Sequence, residues 1–327
     1  MSELYLAVDA GNTKTWAGLS TADGELVGLS QGGIGDIYAQ DGSDAAKNVI
    51  LGLIADVLRA AGAGTADIRH GAFLMAGVDW PDDEQFWRHE LRPVLGDATL
   101  TVKNDGFALL RCGRLDGQGV SVVLGTGAAL AGRGPVKEWA LSWWMQHPLG
   151  AAGLVSEALR AVFLAALGLG PPTKLTDVLP ALFGATSSES LLEATTRRER
   201  AFTHTAMASR APSILALADE DPVVAELVRA QAEHVVDYTR TLVRACGLDR
   251  SADPVTVVVG GGLLREPTAP MFTALTTTFA QYDAEVDLRA NHAPALVGAL
   301  LDALAEGGVP LSESVRERLS LAVRASA

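Results

Sequence analysis

Residues 4–15 read LYLAVDAGNTKT, an apolar run that ends at Asp9 and passes into a short polar turn. A second apolar run follows from Trp16 to Leu19. Two such runs around a turn predict a β-hairpin with Asp9 at its mouth, and Gly11 lets the backbone approach a ligand. We therefore predict a phosphate-binding hairpin in which Asp9 holds a hydrated Mg²⁺. Short side chains that can donate to phosphate oxygens are Asn12, Thr13 and Thr15.

Composition limits the class of protein. The chain has 327 residues, 48% of them hydrophobic and 20% charged, which is enough for two domains with their own cores. A net charge of −13 argues against nucleic acid or an anionic membrane as partner. The basic cluster at 197–200 is interrupted by a glutamate and predicts a solvated face. Cys112 and Cys246 lie too far apart to indicate a disulfide framework or a cysteine-ligated cluster.

Hydropathy gives no indication of a membrane span or a leader. The longest candidate, at 158–169, contains an arginine and is shorter than a bilayer requires. The first residues lead directly into a strand, without a basic segment followed by an apolar one. We therefore expect a cytoplasmic protein.

A strand-turn-strand pattern occurs twice, at 4–20 and again at 120–131. This repetition predicts two related halves that face one cleft. Further strands are predicted at 25–28, 72–76, 99–102 and 255–259, and Arg133-Gly134-Pro135 is a possible hairpin turn. Helices are predicted at 44–61, 154–167, 222–246, 268–281 and 293–305.

Two more strand ends can contact a ligand. Gly125-Thr126-Gly127 has the small residues of an anion-binding nest, although the same tripeptide is common in tight turns. Three glycines at 260–262 would let an adenine lie against the backbone; close packing of a strand on a helix would also explain them. The sequence contains no P-loop motif, no G-x-G-x-x-G and no H-E-x-x-H.

Taken in order, these motifs resemble one family. They look like the N-acetylglucosamine kinase group and the BadF/BadG/BcrA/BcrD-type ATPases, within the sugar kinase, Hsp70 and actin superfamily. The resemblance covers nearly the whole chain. The motifs are DAGNTKT at 9–15, AGVDWP at 76–81, NDG at 104–106, GTGA at 125–128, GGGL at 260–263 and the segment 293–298.

The resemblance implies an α/β fold with two ribonuclease-H-like, actin-like ATPase domains around an interdomain ATP cleft. The first domain would comprise residues 1–116 and 294–327, so that the C-terminal helix returns to it, and residues 117–293 would form the nucleotide-binding domain. The implied activity is transfer of the γ-phosphate of ATP to a hydroxyl of an amino sugar such as N-acetylglucosamine, or of a sugar-like acceptor such as a cyclitol. ATP and Mg²⁺ are the implied cofactors, and a homodimer is the implied assembly.

The family pattern also assigns roles to residues. It assigns Asp9 to the binding of Mg²⁺ and Asp105 as the general base that takes the proton of the attacking hydroxyl. The turn at 104–106 is by itself also compatible with an ordinary turn. Residues predicted to bind ATP or its phosphates are Gly11, Asn12, Thr13, Lys14, Thr126, Gly127, Gly261 and Gly262. Residues predicted to bind the acceptor are Gly35, Asp36, Asp79, Asn104, Asp105, Trp144 and His147.

The acceptor side departs from the family. Sugar kinases of this kind have a Gly-Asp-Glu-Gly segment whose aspartate binds acceptor hydroxyls, and here either His147 or Ala151 stands in that place, depending on the register. The loop at 32–36 lacks the usual asparagine. His147 can be a neutral substitute or an exposed loop residue, and Trp143 and Trp144 can stack on a sugar or pack in the core or a subunit contact. We expect Asp36 or Asp79 to supply the missing carboxylate.

Two other functions remain open on the sequence. One is an ATPase that activates a partner protein by domain closure; its redox version needs paired cysteines, which Cys112 and Cys246 do not provide. The other is a sugar-binding or regulatory member that has lost phosphoryl transfer. Asp9, Asp105 and the turn at 125–127 are intact, which favours retained turnover.

Overall fold

The computed structural model describes residues 3–39, 41–197, 202–250, 253–264, 269–281 and 286–326. These residues form two five-stranded mixed sheets with helices packed around them. Residues 198–200 of the predicted basic cluster and Thr268, the predicted first residue of one helix, lie outside these ranges.

The first sheet has the strand order β3-β2-β1-β4-β5. β1 runs antiparallel to β2 and parallel to β4, so the predicted hairpin forms the centre and one side of this sheet. Every residue of β1 except Asp9 is buried. The strands are β1 (Leu4–Ala10), β2 (Thr15–Thr21), β3 (Leu26–Gly32), β4 (Ile68–Met75) and β5 (Thr99–Asn104).

The second sheet repeats this topology. Its order is β10-β9-β6-β7-β8, and β6 runs antiparallel to β7 and parallel to β9, as β1 does to its own neighbours. The prediction of two related halves is therefore confirmed at the level of strand connectivity. The strands are β6 (Gly119–Leu124), β7 (Ala128–Arg133), β8 (Glu138–Ala140), β9 (Val255–Gly260) and β10 (Val286–Ala290).

Helices cover both sheets, and none in the described part of the chain is long and apolar enough to cross a membrane. In the first half they are α1 (Gly42–Ala61), α2 (Pro81–Leu95) and α3 (Leu110–Gly113). In the second half they are α4 (Gly150–Ala166), α5 (Leu175–Leu182), α6 (Ser188–Thr196), α7 (His204–Ala208), α8 (Ala211–Leu215), α9 (Pro222–Cys246) and α10 (Pro270–Ala280). The C-terminal pair is α11 (Ala295–Glu306) and α12 (Glu313–Ser326).

Local sequence determines both ends of α9, as predicted. Pro222 is its first residue, and the carboxylate of Asp221 accepts from the backbone N–H groups of Val223 (2.8 Å) and Val224 (3.4 Å). Gly247 ends the helix with a left-handed φ of 73°. An N-terminal cap such as Asp221 stabilises a helix by about 1 kcal/mol.

Some elements differ from the prediction. α4 begins at Gly150, four residues before the predicted start, because the segment before Leu154 packs on the turn at 125–127. α2, α12 and β10 have no counterpart in the predicted strands and helices, whereas the hairpin turn predicted at 133–135 is confirmed, because β7 and β8 pair antiparallel across it. α2 is polar overall and buries only one narrow stripe, formed by Asp83, Trp87, Leu91 and Leu95.

The C-terminal helices pack on the first sheet. Tyr5 and Ala7 of β1 share a buried cluster with Leu296 and Leu300 of α11 and with residues of α12. A Cβ on Gly298 would lie 1.6 Å from the carbonyl oxygen of Ala108, so this contact needs glycine. The packing agrees with the predicted return of the chain to the first half; the exact domain limits stay a prediction.

A buried ionic cluster joins α11 to the second sheet. Asp302 exposes 1% of its side chain and accepts from Arg111 Nε and, at 3.1 Å, from Arg133 Nη1 on β7. Arg133 also lies 2.7 Å from Glu138 on β8, and Arg111 lies 3.2 Å from Glu306. Since buried charges are stable only when paired, these residues are expected to keep the two halves in register.

Candidate active site

The two predicted phosphate turns are neighbours in the fold. The turn at 11–14 joins β1 to β2, the turn at 125–127 joins β6 to β7, and Thr13 Oγ1 lies 3.3 Å from Thr126 Oγ1. A backbone hydrogen bond between first and last residue closes each turn, at 3.0 Å and 2.9 Å respectively. The predicted phosphate residues of the first turn, Asn12, Thr13 and Lys14, are exposed. The two turns therefore form facing walls of one cleft.

The steric surroundings of the glycines near this cleft differ. A Cβ on Gly125, Gly127 or Gly262 would meet nothing within 4 Å, so these backbones are open to a ligand. Gly261 has a φ of +102°, and its Cβ would lie 2.4 Å from the carbonyl oxygen of Leu124. Packing against the end of β6 is enough to require glycine at 261, whereas it does not explain Gly262.

Two carboxylates lie at strand ends beside the turns. Burial raises the pKa of Asp9, the penultimate residue of β1, to about 6, against the lowering effect of Lys14. The pKa of Asp105, directly after β5, is raised to about 7 by burial and then by the charges of Asp9, Asp79 and Asp36. A carboxyl that titrates near neutrality beside a cleft is suited to act as a general base.

The loop before α1 is held against the first phosphate turn. Asp36 is 7% exposed, accepts a hydrogen bond from Tyr38 N at 2.8 Å and is also bonded by the side chain of Asn12. Its Oδ1 lies so close to the backbone of Gly77 that a Cβ there would be 2.2 Å away. A Cβ on Gly35 would lie 2.6 Å from Thr15 Oγ1. Gly35 and Asp36, both predicted to bind the acceptor, therefore hold the loop in place through these contacts.

A cavity of about 380 Å³ lies between the two halves, and its lining includes Asn104, the residue before Asp105. Asp79 and Asn104 line it from the first half, and Asn104 Nδ2 donates to Asp79 Oδ1 at 2.9 Å. Aromatic rings form much of its wall: Trp80, Phe107, Trp139, Trp143 and Trp144. The structure thus brings the predicted residues Asp79, Asn104 and Trp144 together around a space large enough for a monosaccharide.

His147 lies apart from this cavity. Its Nδ1 is 2.9 Å from the hydroxyl of Tyr238, and its ring stacks on His234 with 3.6 Å between centroids. Both partners belong to α9, and the ring is exposed. Of the two interpretations of His147, an exposed loop residue fits this geometry better than a substitute for the acceptor-binding aspartate.

Three residues of the site were not predicted. Asp83, at the third position of α2, accepts from the backbone N–H groups of Asp79 (3.0 Å) and Trp80 (2.8 Å). The Tyr38 hydroxyl donates to Asp83 Oδ1 at 2.8 Å, and Ser142 Oγ accepts from Asn104 at 3.3 Å. The sequence signal for Asp83 is an acidic residue three positions into a helix that starts with proline. Tyr38 and Ser142 have no such local signal.

Comparison with solved structures identifies the fold. A protein described as an N-acetylglucosamine kinase from Chromobacterium violaceum aligns with a TM-score of 0.67 at 23% identity, over 93% of this chain and 99% of that one. One with the same description from Porphyromonas gingivalis gives 0.64 at 19% identity, over 91% and 98%. A ROK family glucokinase from Streptomyces griseus, in complex with glucose and AMPPNP, gives 0.56 at 15% identity, over 92% and 98%.

These alignments confirm the predicted two-domain, actin-like α/β fold. A comparison with curated protein sequences gives no match. The family model of the BadF/BadG/BcrA/BcrD ATPases matches residues 6–303, which is most of the chain. The resemblance seen in the motifs is thereby confirmed, and the chain belongs to the BadF/BadG/BcrA/BcrD ATPase family.

Proposed function

We propose that this protein is an ATP-dependent kinase that phosphorylates a hydroxyl of an amino sugar such as N-acetylglucosamine, or of a sugar-like acceptor such as a cyclitol. The observation that supports this most is the position of Asp105. It lies directly after β5 and next in sequence to Asn104, which lines the aromatic cavity, and burial together with the charges of Asp9, Asp79 and Asp36 raises its pKa to about 7. ATP use is implied by membership of an ATPase family.

On the nucleotide side, the turns at 11–14 and 125–127 would hold the phosphates through backbone N–H groups and the hydroxyls of Thr13 and Thr126. Gly261 and Gly262 would lie against the adenosine. The open backbone at 262 supports this, while the close contact of Gly261 with β6 limits its part to shaping the pocket. Residues 1–116 with 294–327, and residues 117–293, would be the domains on either side.

Asp9 is suited to Mg²⁺. Within the described ranges no three His, Cys, Asp or Glu side chains are grouped to hold a metal ion. Mg²⁺ often uses one or two carboxylates and takes its other ligands from phosphates and water, so a single Asp9 is compatible with it. The raised pKa of Asp9 means that its charge is poorly compensated without a ligand. When bound, the metal would neutralise charge on the phosphates.

Asp105 would act as the general base. Its carboxylate would take the proton from the acceptor hydroxyl while that oxygen bonds to the γ-phosphorus and the bond from this phosphorus to the β–γ bridging oxygen breaks. A pKa near 7 leaves the carboxylate ionised in a useful fraction of molecules at neutral pH and basic enough to accept a proton.

The acceptor side would be built from Asp79 and Asn104, with Trp144 as a wall. Gly150 has a φ of +75°, and its Cβ would lie 2.1 Å from the carbonyl oxygen of Gly127, so a glycine is required there. This supports the register anchored on Gly150, in which Ala151 replaces the family's acceptor-binding aspartate. Asp79 would compensate for that loss. The relatives described as N-acetylglucosamine kinases, and the one solved with glucose, support the acceptor class.

A coupled assay of ADP release tests the proposal. The panel would include N-acetylhexosamines, hexosamines, hexoses and cyclitols, each with the wild type and with Asp105→Asn. Acceptor-dependent ADP release that the substitution abolishes supports a kinase. Acceptor-independent release that is unchanged in Asp105→Asn would contradict it and favour an ATPase. The homodimer stays a prediction that analytical ultracentrifugation would check.

A further inference from the structure

The turn Ser142–Trp144, here called the 142–144 turn, has a strained backbone. Ser142 has a φ of +43°, and in the described chain no other residue except glycine has a positive φ. A left-handed backbone costs an L-residue about 1 kcal/mol or more, and such strain persists only where surrounding contacts impose it. Trp143 and Trp144 also leave 58% and 62% of their surfaces exposed.

Both ends of the turn are anchored in the second half. Leu141 is buried, and its backbone N–H donates to Leu130 O on β7 at 2.9 Å. After the turn, the hydroxyl of Tyr238 on α9 accepts from Gln146 N at 2.8 Å. The chain on either side is therefore fixed, and only the middle of the turn is free to change.

The middle of the turn contacts the first half across the cavity. Asn104 Nδ2 donates both to Asp79 Oδ1 (2.9 Å) and to Ser142 Oγ (3.3 Å). The rings of Trp143 and Tyr38 meet edge to face, with 6.3 Å between centroids. Burial raises the pKa of Asp79, and hydrogen bonds from Ser142, Trp143 and Asn104 oppose this rise. The turn thus occupies polar groups that line the cavity.

We propose that the 142–144 turn is a cover over part of the acceptor site and that the acceptor displaces it. Without acceptor, the Ser142 hydroxyl and the Trp143 indole N–H occupy hydrogen-bonding positions on Asp79 and Asn104. Two adjacent hydroxyls of the acceptor take these positions when it binds. The proposal rests on the proposed function, because the acceptor is the sugar or cyclitol of that reaction. A carboxylate beside an amide accepts and donates, which matches a pair of neighbouring hydroxyls.

Displacement has two further consequences. Ser142 can leave its left-handed conformation, so part of the strain is released on binding. The indoles of Trp143 and Trp144 become free to lie on the apolar face of the sugar ring. An acceptor that lacks one of the two hydroxyls would leave a buried polar group unpaired and is therefore discriminated against.

The test uses two variants that each remove one competing group. Ser142→Ala removes the hydroxyl, and Trp143→Phe keeps an aromatic ring but removes the N–H. N-Acetylglucosamine, glucosamine, glucose and myo-inositol are titrated without ATP, by tryptophan fluorescence and calorimetry, into the full-length protein. One net hydrogen bond corresponds to a change in Kd of about 2- to 10-fold. For the compound that binds to the wild type, each variant should therefore have a Kd about 2- to 10-fold lower than that of the wild type. Ser314→Ala, an exposed serine on α12, is the matched control and should bind like the wild type.

The outcomes separate this inference from the proposed function. Unchanged or weaker binding in both variants, with their thermal unfolding unaltered, shows that the turn is a fixed wall; this overturns the inference and leaves the proposed kinase activity unaffected. Tighter binding in both variants supports the proposal that the 142–144 turn covers the acceptor site. If acceptor-dependent ADP release is absent in that case, only the proposed kinase activity is contradicted. If no compound in the panel binds to the wild type, the inference is overturned, and acceptor-dependent ADP release alone decides the proposed kinase activity.

Discussion

Asp105→Asn is expected to make the ligand-free protein more stable and at the same time inactive. The pKa of Asp105 rises from 3.8 to about 7 because of burial and neighbouring carboxylates. One pK unit corresponds to 1.36 kcal/mol, so a shift of about three units destabilises the ionised native state by up to about 4 kcal/mol above pH 7. Relaxation and water entry lower this to roughly 1–3 kcal/mol.

The entropy of unfolding sets the corresponding shift in melting temperature. Unfolding entropy is about 2.1 cal/mol/K per residue, or about 0.7 kcal/mol/K for 327 residues. Asp105→Asn should therefore raise Tm by about 1–4 °C at pH 8, measured by calorimetry without nucleotide or metal. Loss of a general base should reduce turnover by about 10²- to 10⁴-fold.

The stability difference between the wild type and Asp105→Asn should depend on pH. Because the folded pKa lies above the unfolded one, the native state binds more protons between about pH 4 and pH 7, and the wild type loses stability as pH rises through this window. The advantage of Asp105→Asn should thus fall to less than half at pH 5 and disappear near pH 4.

Asp116→Asn is the matched control. Against the effect of partial desolvation, Arg114, 2.7 Å away, holds the pKa of Asp116 below its usual range. Because this ion pair is at the surface, its loss should lower the free energy of unfolding by less than about 1 kcal/mol. A lower Tm for Asp105→Asn at pH 8, or an equal gain at pH 4, would refute the electrostatic reasoning. Turnover within tenfold of the wild type would refute the role of Asp105 as base.

Three other outcomes follow from the geometry. The acid limb of kcat/KM should have a midpoint near pH 7, and Asp79→Asn should move it to lower pH, because that charge raises the pKa of Asp105; a pH–rate profile of both proteins checks this. Asp302→Ala should lower the free energy of unfolding by roughly 3–5 kcal/mol, since two arginines lose their buried partner, and urea denaturation measures it. Gly261→Ala should destabilise the fold by at least about 1 kcal/mol, because its Cβ meets a backbone at positive φ, while Gly262→Ala should leave Tm unchanged and weaken ATP binding in a calorimetric titration.

Much of the central architecture is predictable from local patterns. The apolar runs at 4–10 and 119–124 are strands, and the small residues between them and the following runs form turns, because both preferences act within a few residues. The long helix α9 has a proline at its start and a glycine at its end, so its limits were predicted closely. These features need no distant partner to form.

Elements that depend on distant partners were missed. α2 is stabilised by a narrow buried stripe in an otherwise polar segment, and that stripe matters only once the first sheet is present. β10 shows no alternation of buried and exposed residues, and it is a strand because it pairs in parallel with β9. Local propensity is too weak to decide such segments alone.

For the candidate site, local sequence places Asp9, Asp105 and the glycine turns at strand ends, because strand ends and turn chemistry are local, and the family resemblance supplies their predicted roles. The sequence could not reveal that Asp105 titrates near 7, since this depends on Asp79 and other carboxylates that only folding brings close. Nor could it reveal the strained 142–144 turn against Asn104, which joins residues of opposite halves. Preferences for strands, helices and turns depend on residues that are close together in the sequence. Desolvation, charge coupling and contacts across a cleft arise only when the two sheets pack together.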